Sequence, residues 1–513
     1  MEATPSIQLG LPTSEIGSPR KGSPLLAVSI PHAAFRANAL SGIEDLLQQP
    51  ALRPAILAYQ DLATKLLGLE LDAIRPLLAR TYAAATGRPG REPCTLFRCL
   101  LLMNWCGFTE FEPWVAEMRI RPLWPILCGI EPADVPGAST LRDFLGRLTR
   151  TWRKRPKLRR RRRSASKRSA ARKGQKLPER HPNVIARLLA WLPHRPVQED
   201  TLNEILACLA RASAARGLID PQNLRVAGDG TPITSHTDGR GKRRCKCPPG
   251  TDCTCRRLFT DPDAAWGWDS HNECWFWGYH LYELTAAGCA HDLPLYLQRA
   301  CANRNDAVAF VPAYLGLRRL YADYHLAAML LDAGHDCEPL YALLHGDRVR
   351  PIIDLNTHGK NPAGFSDPLH PPMDRAGTPI CAAGHLMAPN GTSRGRGVWS
   401  CPALRVRTGI QCDLPCKQKR VYTTAASFLR AFPGLLRGGQ QWKALYAQRT
   451  AVERSHKRKL RDFQHEFGRT RCAAYRIGLY FFAAYCQHLD AWFARGGSID
   501  PALQEVIAAA RAA

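Results

Sequence analysis

The sequence predicts an α/β protein: one mixed sheet flanked by helices, an all-helical region before it and a cysteine-rich insertion within it. Three observations predict this. From residue 224 to residue 357 the pattern runs strand, strand, strand, helix, strand, helix, strand. Residues 25–151 instead carry apolar residues at helical spacing. Finally, Cys381, Cys401, Cys412 and Cys416 interrupt the chain before a long helical pattern returns at 440–495.

The elements follow in order. Residues 1–24 are rich in Pro, Ser and Gly and read as a flexible lead, without the apolar block of a signal peptide. Residues 25–151 form a helical, DNA-binding N-terminal domain. Within it CTLFRCLLLMNWCGF reads as a buried helix, and PGASTLRDFLGRL as a short helix capped by Ser139 or Thr140. Its apolar face is Leu141, Phe144, Leu145 and Leu148. Residues 152–180 are a basic linker with no expected packing. Residues 181–357 and 439–495 make the α/β layer, 358–438 the insertion and 496–513 a tail. The strands are LRVAGDG, ECWFWGYHLYELTAA, LPLYLQRACANRND, LAAMLLDAGHD and VRPIIDLN. The aromatics of WGWDSHNECWFWGYH suit sheet core or base stacking.

The charge is uneven. The net charge is +27, and 14 Lys or Arg with no acid lie between Arg153 and Lys176. This run reads as a phosphate-binding arm that includes Arg159, Arg160, Arg161, Arg162 and Arg163, or else as a solvated linker. A polyanion partner, most simply nucleic acid, follows from either the whole chain or the arm. There is no apolar run of about 18 residues, so no membrane span is expected. With no export signal, a cytoplasmic location and a reducing environment are expected for the 19 cysteines.

Carboxylates carry the chemistry. Asp229 ends the first strand, before a turn at Gly230–Pro232. It is a turn cap or a metal ligand. Asp332 ends the fourth strand in the same manner. If the two strands are neighbours the acids face each other, and a divalent cation relieves their repulsion. Glu453 lies on a helix face with Tyr446 and Arg449, and next to Lys457 and Lys459. Alone it is an ion-pair partner; with the two aspartates it completes a set of hard ligands for Mg²⁺ or Mn²⁺. Asp336 is a lesser rival, and Asp238 and Asp354 are weaker still.

Two cysteine groups suit structural zinc, or are reduced and packed. Cys245, Cys247, Cys253 and Cys255 offer four thiolates in eleven residues. Cys381, Cys401, Cys412 and Cys416 are spread out, and His385 can replace one of them. The other eleven cysteines, such as Cys99 and Cys486, fall in apolar patterns and read as core.

The order GDGTPI, LLDAGHD, YAQRTAVERSHKRKL resembles the DDE transposases of bacterial insertion sequences, of the IS4/IS5-like group. Tyr446, Arg449 and Glu453 match that group's Tyr, two residues, Arg, three residues, Glu signature. Its following Lys, seven positions after the Glu, is here Leu460, with Lys459 one residue earlier. The resemblance implies a ribonuclease-H-like sheet and a metal triad of Asp229, Asp332 and Glu453. It also implies cleavage and strand transfer on double-stranded DNA, at terminal inverted repeats and target, in a homo-oligomeric complex. A non-catalytic DNA-binding regulator and a nuclease with the same core are the alternatives.

Overall fold

The structure is a computed structural model. It describes residues 24–26, 28–83, 87–149, 157–160, 184–192, 200–248, 253, 255–269, 272–356, 372–374, 377–404, 409–412, 419–424, 429–430, 432, 434–437, 439–469, 471–496 and 499–512. Arg161, Arg162, Arg163 and Cys416 lie outside the described residues.

The central sheet is mixed and has six strands. They are β2 (Leu224–Thr234), β4 (Ala265–Asp269), β5 (Cys274–Ala287), β6 (Pro294–Cys301), β7 (Leu326–Leu331) and β8 (Arg350–Ile353). The order is β4-β5-β2-β7-β8, and β6 pairs with the second half of β5. β2, β5 and β6 are antiparallel, whereas β2, β7 and β8 are parallel. Between β6 and β7 runs α11 (Asp306–Leu320), and between β7 and β8 runs α12 (Glu338–Gly346). Both crossovers are the helices a parallel connection requires. Val226, Met329, Leu331 and Ile353 on the strands meet Phe310, Val311 and Tyr314 of α11 in one core.

Two smaller sheets are also present among the described residues. β1 (Lys157–Arg160) pairs antiparallel with β3 (Arg256–Phe259). β9 (Ala388–Ser393), β10 (Arg396–Ser400) and β11 (Arg420–Thr423) form a three-stranded sheet in the insertion. Met387, Trp399, Val421 and Leu436 form its small core.

Eight α-helices, α1 to α8, lie between His32 and Leu148 among the described residues. They include α5 (Pro93–Trp105) and α8 (Ala138–Leu148). Glu92 caps α5 by accepting a hydrogen bond from the Thr95 amide at 2.6 Å, and Pro93 fits the first turn, where no amide partner is needed. α8 begins after Gly137 without a side-chain cap, so Ser139 and Thr140 sit inside its first turn rather than capping it. Its predicted apolar face, Leu141, Phe144, Leu145 and Leu148, is buried.

These helices share their core with α15 (Ala473–Gly496), which is buried along most of its length. Phe97 of α5 packs on Phe482 and Tyr485. α9 (Val184–Trp191) and α10 (Thr201–Ala215) lead into the sheet, and α16 (Pro501–Ala512) closes the chain. No helix among the described residues is long and apolar enough to cross a membrane.

Three expectations change. The basic linker is not wholly unpacked, because backbone pairing with β3 needs no apolar side chains from β1. The aromatic stretch WGWDSHNECWFWGYH is half core: Phe276 and Trp277 of β5 are buried, whereas Trp275 of β5 and Trp266 and Trp268 of β4 are exposed. Among the remaining cysteines, Cys99 and Cys486 are core, but Cys274 and Cys301 are exposed.

Candidate active site

β2 and β7 run parallel, and their last paired residues are Gly228 and Leu331. The next residue on each chain is an acid, Asp229 and Asp332. The strands are therefore neighbours, and the two predicted carboxylates lie at the same end of the parallel pair.

Asp229 does not end its strand. β2 continues to Thr234, and Gly230, Thr231 and Pro232 pair with Tyr282, Leu281 and His280 of β5. The predicted turn is thus strand. The reason is local: beyond Gly228 the neighbour β7 has stopped, so β2 is paired on one side only. Pro232, which lacks an amide proton, is tolerated there.

Glycine permits the crowding around Asp229. A Cβ at residue 228 would come within 2.7 Å of the Tyr282 hydroxyl, and one at 230 would overlap the Asp306 carboxylate. Asp306 is the first residue of α11, whose N-cap, Asn305, accepts from the Val308 amide at 3.1 Å. The Oδ1 atom of Asp306 is buried with no hydrogen-bond partner. Asp306 was not legible as a site residue, because an acid in a first helical turn is ordinary.

The electrostatics follow from this packing. Burial, then Asp306, then Asp332 push the Asp229 carboxyl up to about 7. Its Oδ1 accepts the Gly230 amide at 2.8 Å. Asp332 accepts from the Gly334 amide at 3.0 Å and pairs through Oδ1 with His335 Nδ1 at 2.6 Å. Burial opposes its ionisation, but the bond to His335 holds its carboxyl below the usual range. His335 is fully buried, and its Nε2 lies 2.7 Å from the Tyr282 hydroxyl. Burial opposes the imidazolium, and Asp332, Asp306 and Asp229 outweigh it, so His335 titrates above the ordinary value. His335 is a second residue the sequence did not single out. Its signal is the short spacing within LLDAGHD.

Glu453 comes from the other side. α13 (Gln440–Tyr446), one tighter turn and α14 (Thr450–Lys457) run past the sheet. Trp442, Ala451 and Val452 pack on Ala227 and Leu330, so the helix is fixed beside Asp229. Arg449 Nη2 donates to Glu453 Oε1 at 2.7 Å, and its Nη1 lies 3.9 Å from Asp229 Oδ2. Arg449 also lowers the Asp332 carboxyl through its charge. One guanidinium thus serves all three acids, which do not close to within 4.8 Å as a group. Tyr446 stacks on Trp442 at 4.6 Å.

The other candidates separate cleanly. Lys457 is exposed on α14. Lys459 is turned inward rather than toward DNA: it is fully buried and bonds Glu283 at 2.9 Å, Ser455 Oγ at 2.8 Å and Gln487 Oε1 at 3.0 Å. The reason is Glu283, a buried acid on β5 that needs a cation. The rival Asp336 is bound by Arg430, the Asn356 amide and the Tyr341 hydroxyl, which occupies its lone pairs. Asp238 accepts the Arg240 amide in an exposed turn, and Asp354 follows β8 rather than lying within it.

Among the described residues, the cysteine quartet is the one group of metal-ligating side chains whose ligand atoms all lie within 4.8 Å. Cys245 and Cys253 sulfurs are 3.5 Å apart, and Cys247 and Cys255 sulfurs 3.7 Å. A zinc tetrahedron with ~2.3 Å bonds has sulfur edges of about 3.8 Å, so the quartet could hold such a structural ion. Arg243 Nε donates to Cys245 at 3.2 Å, and that contact lowers the Cys245 thiol to about 6, into the thiolate form a metal takes. Cys381, Cys401, Cys412 and His385 form no comparable group among the described residues.

Fold and site define an α/β protein with half-buried acids gathered at the end of a parallel strand pair. Residues 62–147 match the family model described as Transposase domain (DUF772), which supports a transposase, an enzyme that cuts DNA. The match begins within the helix Gln60–Leu67, takes in all of α5 and covers most of α8. No curated protein matches the chain.

Proposed function

We propose that the chain is a DDE-type DNA transposase with a ribonuclease-H-like catalytic layer. It would cleave DNA at the ends of an insertion sequence and transfer the freed 3′ hydroxyl to target DNA. The observation that carries this is the position of Asp229 and Asp332 on adjacent parallel strands, with Glu453 on the helix beside them. Apart from the edge strand β4, the order of three antiparallel strands (β2, β5, β6) followed by two parallel to β2 (β7, β8) supports the fold assignment. The transposase-domain match supports the substrate.

The donor set fits hard cations. Asp229, Asp332 and Glu453 offer only oxygen, and the burial and repulsion that raise Asp229 are what a Mg²⁺ or Mn²⁺ ion relieves. Bound there, such an ion supplies activation of the attacking oxygen and stabilisation of the leaving one. The chain's own residues do the rest. His335 holds Asp332 in one orientation, as a partner behind a ligand does. Tyr282 fixes His335. Arg449 holds Glu453 and is placed to turn its guanidinium toward a scissile phosphate once the acids have another cation. Lys457 and the basic arm meet the DNA backbone.

The test is Mg²⁺-dependent cleavage of the DNA that flanks the gene, compared with Asp229→Asn. Cleavage lost with DNA binding kept supports the proposal. Cleavage that survives the substitution removes the triad. Binding with no cleavage by either protein favours a regulator, and cleavage without joining favours a nuclease.

A further inference from the structure

Between β2 and β4 the chain makes an excursion, residues 235–264, that the catalytic layer does not need. It carries seven Lys or Arg between Arg240 and Arg257 and a single acid, Asp252. Lys242, Arg244, Lys246 and Arg256 are exposed. The excursion has almost no apolar core of its own. Gly241 takes φ +73° and lets the chain lie against the Phe259 ring, and Gly239 lies against Trp266 and Trp277. Lys242 and Leu258 exchange backbone hydrogen bonds at 2.8 and 2.9 Å, which brings the two ends of the cysteine loop together. Between those ends sits the quartet, with Cys255 directly before β3.

β3 is also the strand to which the basic arm is joined. Lys157 pairs with Phe259, Leu158 with Leu258, Arg159 with Arg257 and Arg160 with Arg256. Arginine therefore stands opposite arginine on a two-stranded ribbon that is isolated from the main sheet. Two strands alone are marginal in water, and a ribbon so rich in cations carries no apolar face to hold it. Two things offset this: a metal ion that ties the loop, and a polyanion that neutralises the ribbon.

We infer that the Cys245/Cys247/Cys253/Cys255 quartet is a metal clasp that folds β1 and β3 into a basic ribbon gripping the phosphate backbone of duplex DNA. The clasp fixes β3, β3 anchors the arm through its backbone, and the exposed cations Lys242, Arg244, Lys246 and Arg256 meet phosphates without reading bases. This rests on the transposase proposal for the identity of the polyanion, but its test reads binding and not cleavage.

The test uses the full chain, a 40-base-pair duplex of arbitrary sequence and fluorescence anisotropy over a range of salt. The exposed-cation variant Lys242→Ala/Arg244→Ala/Lys246→Ala/Arg256→Ala keeps the cysteines and the metal. It is expected to weaken binding more than about tenfold at 0.15 M salt and to reduce the slope of log K against log salt by about 3 to 4. Cys253→Ser/Cys255→Ser is expected to carry one zinc equivalent fewer than the native chain and to show a lower slope too. An unchanged slope in the exposed-cation variant overturns the ribbon. Loss of zinc with an unchanged slope overturns the clasp. If no protein cleaves but the slopes fall as expected, the ribbon stands and the catalytic proposal fails.

Discussion

Replacing Asp229 by Asn should abolish cleavage and, in metal-free protein, raise stability. The Asp229 carboxyl is pushed from 3.8 to about 7. Folding therefore binds a proton more tightly than the unfolded chain does. Stability contributed by the protonated form is present below about pH 4 and is lost as pH rises through 4 to 7. Three units correspond to about 4 kcal/mol, which solvent access to the side chain trims to about 3 kcal/mol. About a fifth of that side chain is exposed. Asn keeps the shape and the acceptor for the Gly230 amide but removes the charge. A cooperative unit of this size shifts by about 1–2 °C per kcal/mol, so a rise of about 3–6 °C in Tm is expected at pH 8 in EDTA. At pH 4.5 the difference should shrink to about a quarter of that. Mg²⁺ should raise the melting point of the native chain at pH 8 and leave Asp229→Asn almost unmoved. An Asn variant that melts at or below the native protein at pH 8 without metal would refute the reasoning, because the acids would then not repel.

Other outcomes follow from the same geometry. Asp306→Asn should also stabilise the metal-free protein above pH 7, and a Mn²⁺ titration should show at least a severalfold loss of affinity if Asp306 belongs to the site. His335→Ala leaves Asp332 without its partner, and metal affinity should fall about 10–100-fold, measured by the same titration. Lys459→Met strands the buried Glu283, so chemical denaturation should show a loss of about 3–5 kcal/mol, which Lys459→Met/Glu283→Leu largely restores. A cost below about 1 kcal/mol for the single change would mean that Glu283 finds another cation.

The mixed α/β layer was legible because its signals are local. Five strands and two helices of the layer carry a clear period, and Asp229 and Asp332 stand out as acids after apolar runs. What was lost is tertiary. Nothing in LRVAGDGTPIT says that β7 stops after Leu331 and lets β2 run on to Thr234. Asp306 and His335 look like ordinary helix-start and turn residues until folding brings them beside Asp229. Lys459 follows the charge pattern of its neighbours, yet a buried glutamate on β5, more than 170 positions earlier, pulls it inward. β1 pairs through its backbone, which a run of cations does not reveal.

Mn²⁺ added to crystals of the protein with duplex DNA, located by its anomalous scattering, tests the central claim most directly. The account predicts density within ~2.2 Å of oxygens of Asp229 and Asp332, with Glu453 turned from Arg449 to join them. No ion at these acids, with Arg449 still bound to Glu453 and DNA in place, would contradict it.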